Sequence, residues 1–296
     1  MIAMEQSRNT LRLAIQRSGR LSEDSRTLIK ETGIQVNWND TRLKSRAFNF
    51  PVELLFLRDD DIPEYVSNGV ADIGIVGENL VIEKDRSVDT LEKLGFSRCR
   101  LAIAVPESAP YQTVEDLIGR DIATSHPRTL TKFLESRGVS ANIHEIKGSA
   151  EIAPGIGLST AICDLVSSGS TLFSNRLREI ETILSSEAVL ISGKALSDAE
   201  QKILDQFLFR LRAVLRAKQS KYILLNVPND SIKTVCELLP GLKSPTVLPL
   251  AEEGWSSVHS VIDEDRFWEV IELLRGAGAE GILVCPIEKV VANGAL

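Results

Sequence analysis

The segment Glu151 to Leu172 reads E-I-A-P-G-I-G-L-S-T-A-I-C-D-L-V-S-S-G-S-T-L and carries the densest chemistry of the 296-residue sequence. A short apolar run, Ala161 to Val166, is broken only by Asp164, and Ser167, Ser168, Gly169, Ser170 and Thr171 follow directly. A buried strand that opens through hydroxyls and glycine into a helix start makes a cradle for phosphate. Backbone N–H groups and the helix dipole face the anion, and the hydroxyls supply further donors. An acid at the strand end suits ribose hydroxyls or a magnesium-bound diphosphate. The combination predicts a phosphorylated sugar as ligand.

Other constellations surround it. Gln16-Arg17-Ser18-Gly19-Arg20 follows the first apolar run. Gly19 would let that turn approach a ligand while Arg17 and Arg20 neutralise phosphate, although a solvated turn would look the same. Arg42, Lys44 and Arg46 form a second basic cluster in an expected loop, readable as site or as surface. In Arg58-Asp59-Asp60-Asp61-Ile62-Pro63 the three acids could pair with Arg58, hold magnesium through water, or polarise a base. Equally, one could cap a helix while the others are solvated. Gly74, Gly77 and Glu78 belong to a glycine-bearing strand and turn that lacks dinucleotide G-x-G-x-x-G spacing. Thr124-Ser125-His126-Pro127 ends a strand and enters a helix, where His126 could touch a ligand or merely cap. No Ser-His-Asp order, G-x-S-x-G elbow or lysine-bearing P-loop occurs, so covalent catalysis has no visible nucleophile. What remains is positioning and charge stabilisation around an anion.

The elements that must position these residues alternate as in an α/β protein. Strands are expected at 11–15, 52–57, 73–76, 100–105, 122–124, 142–146 and 161–166, with a strand or strand pair over 183–191. Ser22 is expected to cap a helix that Gly33 ends, and further helices over 114–118, 127–137 and 198–218 lie between and after the strands. From Tyr222 the order becomes βαββαβ in about 75 residues, the ferredoxin-like arrangement. Domain limits are expected at 1–104 with 183–219, at 105–182, and at 220–296.

Composition bounds the function classes. A formal net charge of −7 gives no general footprint for nucleic acid or anionic membrane. Cys99, Cys163, Cys236 and Cys285 are scattered, mostly within apolar runs, and no C-x-x-C pair or zinc-spaced histidine occurs. Free thiols, a polar N-terminus and the lack of any apolar run near the ~20 residues of a membrane span lead to the expectation of a cytoplasmic protein.

The motif Glu151…Gly157-x-Ser159…Ile162-x-Asp164-Leu165…Ser168-Gly169-x-Thr171-Leu172 resembles the signature of the long-form ATP phosphoribosyltransferases, which open histidine biosynthesis. The likeness runs from about Leu11 to Val290, with supporting stretches at 16–24, 58–63, 77–79, 220–224, 244–250 and 286–289. Gly155 stands where that family commonly has arginine, and Ser159-Thr160 where Ala-Asp is common. The resemblance implies two periplasmic-binding-protein-like domains closing on a cleft, plus a regulatory domain. It implies ATP and 5-phosphoribosyl 1-diphosphate as substrates, with Mg²⁺ held mainly by their phosphates and by Glu151 or Asp164. Adenine N1 would attack ribose C1 with inversion. The resemblance assigns catalysis to Glu151, Asp164 and Arg17. It assigns substrate contacts to Ser167–Thr171, Arg20, Arg42, Arg58, Asp59–Asp61, Gly77, Glu78 and Thr124. Histidine would bind near Asn226, Leu242, Ser244, Thr246, Val261 and Gly281 and shift a homodimer toward an inhibited homohexamer; AMP is a further expected inhibitor. A non-catalytic solute-binding sensor on the same two-lobed scaffold is the alternative.

Overall fold

A computed structural model describes residues 9–38 and 42–291; the remainder of the expected domain ranges lies outside the described residues. The chain divides into two compact units. One runs to Thr27 and over Ile34–Ile203, and the other takes Leu28–Gly33 and Leu204 onward.

The first unit begins with β1 (Leu11–Gln16), α1 (Arg20–Glu31), β2 (Lys44–Arg46), β3 (Val52–Leu57), α2 (Ile62–Ser67), β4 (Ile73–Gly77), α3 (Glu78–Lys84) and β5 (Asp89–Lys93). β1 and β4 are buried almost throughout, as strands covered on both faces must be. The chain then leaves this sheet for β6 (Cys99–Pro106), β7 (Asp121–Thr124), α4 (Pro127–Ser136), β8 (Asn142–Glu145), β9 (Ala161–Val166), α5 (Ser170–Ser174) and β10 (Leu177–Ser186). It returns through β11 (Ala188–Ser192) and enters α6 (Asp198–Lys218). Two sheets result, ordered β2-β3-β1-β4-β11-β5 and β10-β6-β9-β7-β8. The expected two-lobed arrangement is therefore present within this unit.

Several sequence expectations shift. The limits at 104/105 and 182/183 fall inside β6 and β10, which pair with each other over eight residue pairs from Leu177↔Pro106 to Ser186↔Cys99. The chain changes sheet between β5 and β6 and again at Glu187, because an antiparallel pair this long cannot be divided between two sheets. Ser22 does not cap α1: the helix starts at Arg20, and the Gly19 carbonyl accepts the Glu23 N–H at 3.1 Å. Ser22 Oγ is buried without a hydrogen-bond partner. The helix expected over 114–118 is a single 3₁₀ turn at Glu115–Leu117. β2 and β5, at the outer edges, are too short and polar to announce themselves.

In the second unit β12 (Ser220–Pro228), α7 (Ile232–Leu238), β13 (Thr246–Pro249), β14 (Trp255–Asp263), α8 (Glu264–Gly276) and β15 (Glu280–Pro286) form an antiparallel sheet ordered β13-β14-β12-β15. That is the expected ferredoxin-like order. Ile223, Leu225 and Val227 of β12 face Val235, Val270 and Leu274 of the helices in one core. The 219/220 limit moves upstream, since α6 from Leu204 belongs to this unit. There the Ala213 carbonyl accepts the Val290 N–H at 2.9 Å.

Candidate active site

β1, β3 and β4 run parallel, so their C-terminal ends share one sheet edge. Arg17, Arg58–Asp61 and Gly77-Glu78 stand there. In the second sheet β7, β8 and β9 are parallel, which puts Thr124–His126 and Ser167–Thr171 on one edge. Strand C-terminal ends are where open α/β sheets hold ligands.

The serine-rich loop closes a cavity of about 210 Å³ whose lining includes Glu151, Asp164, Ser167, Ser168, Gly169 and Thr171. Gly169 adopts φ +80°, a left-handed turn open to glycine at little cost. Ser168 Oγ lies 3.0 Å from Ser170 Oγ, so Ser170 braces the loop and does not line the cavity. α5 has only five residues, too few for a substantial dipole; donors must come from the loop backbone and its hydroxyls. Glu151 enters from a 3₁₀ turn at Ala150–Ile152. Asp164 Oδ1 accepts the Leu165 N–H at 2.8 Å and the Ser125 hydroxyl at 3.3 Å. Burial pushes the Asp164 pKa above the usual carboxylate range; the Leu165 hydrogen bond opposes this and the Glu151 charge adds to it.

A second cavity of about 420 Å³ is lined by Glu78, Lys93, Arg98, Cys99, Arg100, Ser167, Ser185, Ser186 and Glu187. Ser167 belongs to both, so the cavities adjoin. Lys93 Nζ sits 3.1 Å from Glu78, and Arg100 grips Glu179 with contacts of 2.7–3.0 Å. Burial pushes the Cys99 thiol up, against the Ser186 hydrogen bond and the charge of Arg20. Lys93, Arg98 and Arg100 were missed in the sequence, where the alternation Arg98-Cys99-Arg100 entering a strand marked the two arginines and nothing marked Lys93.

Other expected residues fall differently. Arg17 and Arg58 are exposed at the first sheet's edge. Asp60 is 3.6 Å from Lys84, and Asp59 Oδ1 accepts the Asp60 N–H, while exposed Asp61 precedes α2. Arg42 is exposed just before β2, which runs antiparallel to β3, and the Leu43 carbonyl accepts the Phe56 N–H at 2.9 Å, so Arg42 lies toward the C-terminal end of β3, the edge that carries Arg58. Thr124 is a correction. Its side chain is fully buried, donates to the Cys163 carbonyl at 2.7 Å and accepts the His126 N–H at 2.9 Å, leaving nothing for substrate. Gly77 makes room for a side chain: a Cβ there would stand 2.3 Å from Asn79 Oδ1. His126 is buried, with Nδ1 2.9 Å from Ser125 Oγ and Nε2 2.9 Å from Asn79 Nδ2. Burial lowers its pKa, against the pull of Glu83, Asp164 and Asp60.

The lobes are also fastened by Glu83. Its carboxylate accepts the Arg128 N–H at 3.0 Å, the Thr129 N–H at 2.8 Å and the Thr129 hydroxyl at 2.7 Å, capping α4 from α3. Asp85 pairs with Arg128 beside it. At the signature's departures, Gly155 is exposed, and a Cβ there would meet only the Ile152 carbonyl at 3.5 Å. Ser159 Oγ is buried without a partner.

In the second unit, Asn226 of β12, Thr246 of β13 and Val261 of β14 share the sheet face opposite the helices. A Cβ on Gly281, at φ +57°, would lie 3.3 Å from Asn226 Nδ2. Leu242 and Ser244 are exposed in the loop before β13. The same face carries a trio absent from the sequence reading: His259 Nδ1 lies 2.8 Å from the Tyr222 hydroxyl, and Nε2 3.1 Å from Ser257 Oγ.

Fold and site together define a two-lobed α/β phosphoryl-ligand enzyme with an appended ferredoxin-like unit. The family model "ATP phosphoribosyltransferase" matches residues 58–213, and the model "HisG, C-terminal domain" matches 217–289. The ATP phosphoribosyltransferase of Cytophaga hutchinsonii is 59% identical over 95% of this chain and 98% of its own length. That of Parabacteroides distasonis is 54% identical over 95% and 99%. A solved ATP phosphoribosyl transferase (HisG:HisZ) complex from Thermotoga maritima is similar at a TM-score of 0.62 and 28% identity, covering 70% of this chain and 99% of that one. This chain belongs to the ATP phosphoribosyltransferase family, and it is a pentosyltransferase of histidine biosynthesis. These findings support the enzyme and not the non-catalytic sensor.

Proposed function

We propose that the smaller cavity binds 5-phosphoribosyl 1-diphosphate and that ATP occupies the adjoining larger one. The observation that carries this is the convergence of Glu151, Asp164 and the loop from Ser167 to Thr171 on a single cavity. The loop holds the 5-phosphate through backbone N–H groups and hydroxyls. Asp164 accepts the ribose hydroxyls, and Glu151 faces the ribosyl cation that develops as diphosphate leaves. Arg17, Arg20 and Arg58 neutralise phosphate charge, joined in this reading by Lys93, Arg98 and Arg100; Asp59–Asp61 and Glu78 flank the nucleotide. With no nucleophile needed, the chain's contribution is orientation of N1 against C1 together with electrostatics.

Magnesium fits this donor set. Glu151 and Asp164 offer hard oxygen ligands beside the phosphate loop, and among the described residues no group of three or more His, Cys, Asp or Glu side chains forms a metal cage of its own. The ion, bound chiefly by substrate phosphates, would supply neutralisation of the leaving diphosphate. The site reading is tested with Asp164→Ala, followed by the ultraviolet absorbance change of N1-ribosylated adenine. A raised KM for 5-phosphoribosyl 1-diphosphate, or lost turnover, is expected; ordinary kinetics would overturn Asp164's role.

The second unit is proposed to sense histidine on the sheet face of Asn226, Thr246 and Val261, with Leu242, Ser244 and Gly281 at its margin, and to favour an inhibited homohexamer over a homodimer. AMP would inhibit at the nucleotide cavity. Coupling of about 1–3 kcal/mol is expected. Asn226→Ala should abolish the histidine-dependent change in sedimentation and in activity together. A cytoplasmic setting accords with these substrates, and no helix among the described residues is long and apolar enough to cross a membrane.

A further inference from the structure

Four side chains link the seam between the two lobes to Asp164. Ser186, where β10 ends, accepts the Asn79 N–H with its Oγ at 3.0 Å and donates its proton to Asn79 Oδ1 at 3.0 Å. With Oδ1 on Ser186, Nδ2 faces His126 Nε2, 2.9 Å away. An amide N–H can only donate, so Nε2 accepts and the imidazole proton resides on Nδ1. Nδ1–H then donates to Ser125 Oγ at 2.9 Å, and the Ser125 hydroxyl has its proton free for Asp164 Oδ1 at 3.3 Å. Each donor in the chain has one acceptor; flipping the Asn79 amide alone would set Oδ1 against the unprotonated Nε2, and flipping it together with the tautomer would turn the Ser125 proton from Asp164 to Nδ1.

The packing enforces this direction. Asn79 and His126 are 5% and 3% exposed, so neither can exchange its partner for water. Gly77 lacks the Cβ that would stand 2.3 Å from Asn79 Oδ1. Thr124 locks the His126 backbone by accepting its N–H. Asn79 belongs to α3 of the first lobe and His126 to the start of α4 in the second, and the Glu83 cap holds those two helices together. Burying an asparagine and a histidine at such a seam costs stability unless their bonds are all made.

We propose that His126 is a positioning residue, held as the Nδ1–H tautomer by Asn79 and Ser186, which aims the Ser125 hydroxyl at Asp164 and so sets the orientation of the ribose-binding carboxylate from the lobe seam. This rests on the reading of Asp164 given above. Ser186, at the far end of the relay, lines the larger cavity, but the Ser125–His126 end meets only Asp164 of the phosphoribosyl cavity, so loss at Ser125 or His126 should fall on one substrate.

The test compares Ser125→Ala, His126→Leu, His126→Asn and Asp164→Ala by steady-state kinetics with each substrate varied, alongside thermal unfolding. Ser125→Ala and His126→Leu should each raise KM for 5-phosphoribosyl 1-diphosphate about tenfold, as loss of a hydrogen bond to a charged group does. KM for ATP should stay within about twofold. The Asn side chain at 126 can present an amide N–H where Nδ1 stood, so His126→Asn should recover most of the loss. The double variant Ser125→Ala/His126→Leu should be no worse than the poorer single one, because both break one chain of bonds. Ser125→Ala removes one hydroxyl at a partly exposed position, so it remains informative if His126→Leu unfolds. An unchanged phosphoribosyl KM in Ser125→Ala, or equal rises in both KM values, would overturn the inference while Asp164→Ala remained impaired. Ordinary kinetics in Asp164→Ala would instead overturn the site reading and this inference with it.

Discussion

Gly169→Ala isolates what the backbone of the loop proposed to hold phosphate contributes. Gly169 sits at φ +80°, ψ 0°, and a Cβ built there meets nothing within 4 Å. No clash follows, so the penalty is conformational alone, about 1–2 kcal/mol for an L-residue held left-handed. The loop is solvent-exposed and its side chains bond mostly to one another, which lets it relax instead of unfolding the lobe. The strain should then be met on binding, lowering kcat/KM for 5-phosphoribosyl 1-diphosphate about 5–30-fold with little change in Tm. Gly119 supplies the control. It has φ +70° and an equally open Cβ position, but its N–H is tied to the Ser140 carbonyl at 2.7 Å and it lines neither cavity. Gly119→Ala should leave the kinetics alone and lower Tm by about 2–8 °C. Steady-state kinetics and differential scanning calorimetry on both variants read the two quantities. If Gly169→Ala left kcat/KM and Tm both unchanged, the left-handed turn would not be needed for the cradle.

Three further outcomes follow from other parts of the first unit. Ser159→Ala deletes a buried hydroxyl with no partner, so its stability should equal or exceed the parent's by up to about 1 kcal/mol, read as an unchanged or raised Tm in thermal melts. Glu83→Ala leaves three donors at the start of α4 without their acceptor and should destabilise by about 3 kcal/mol, measured by denaturant titration. The Arg100 hydrogen bonds lower the Glu179 pKa from 4.5, so the pair's stabilisation is present above pH 4.5 and lost as pH falls through the lower folded value. With both side chains partly exposed, solvent screening keeps it near or below about 1 kcal/mol. The Tm gap between the parent and Glu179→Gln should therefore be constant at pH 6–7 and close below about 4.5.

Much of this was legible in the sequence because the causes are local. A run such as Ala161–Val166 followed by five small residues can hardly be anything but a buried strand opening into a tight turn, and Gly169 occupies its left-handed position. The βαββαβ order after Tyr222 follows from apolar alternation, since Ile223, Leu225 and Val227 need a helix layer to cover them. Other features were not readable. The short polar edge strands β2 and β5 owe their existence to the neighbours that supply their hydrogen bonds. The polar threonine 124 looked available to a ligand, yet the fold spends both its bonds inside the protein.

The sequence by itself determined which groups are available: a small-residue loop suited to an anion, an acid beneath it, arginines at strand ends and a separate ferredoxin-like unit. Tertiary structure decided which of those groups meet. The parallel order β3-β1-β4 gathers three distant turns onto one edge. The double passage of the chain between sheets brings Lys93, Arg98 and Arg100 to a cavity adjoining Ser167. Residues 79, 125, 126, 164 and 186 become one hydrogen-bonded chain only because α3 of one lobe is fastened to α4 of the other. Their separation in sequence carries no periodic signal; their proximity is set by packing, and packing is a property of the whole fold.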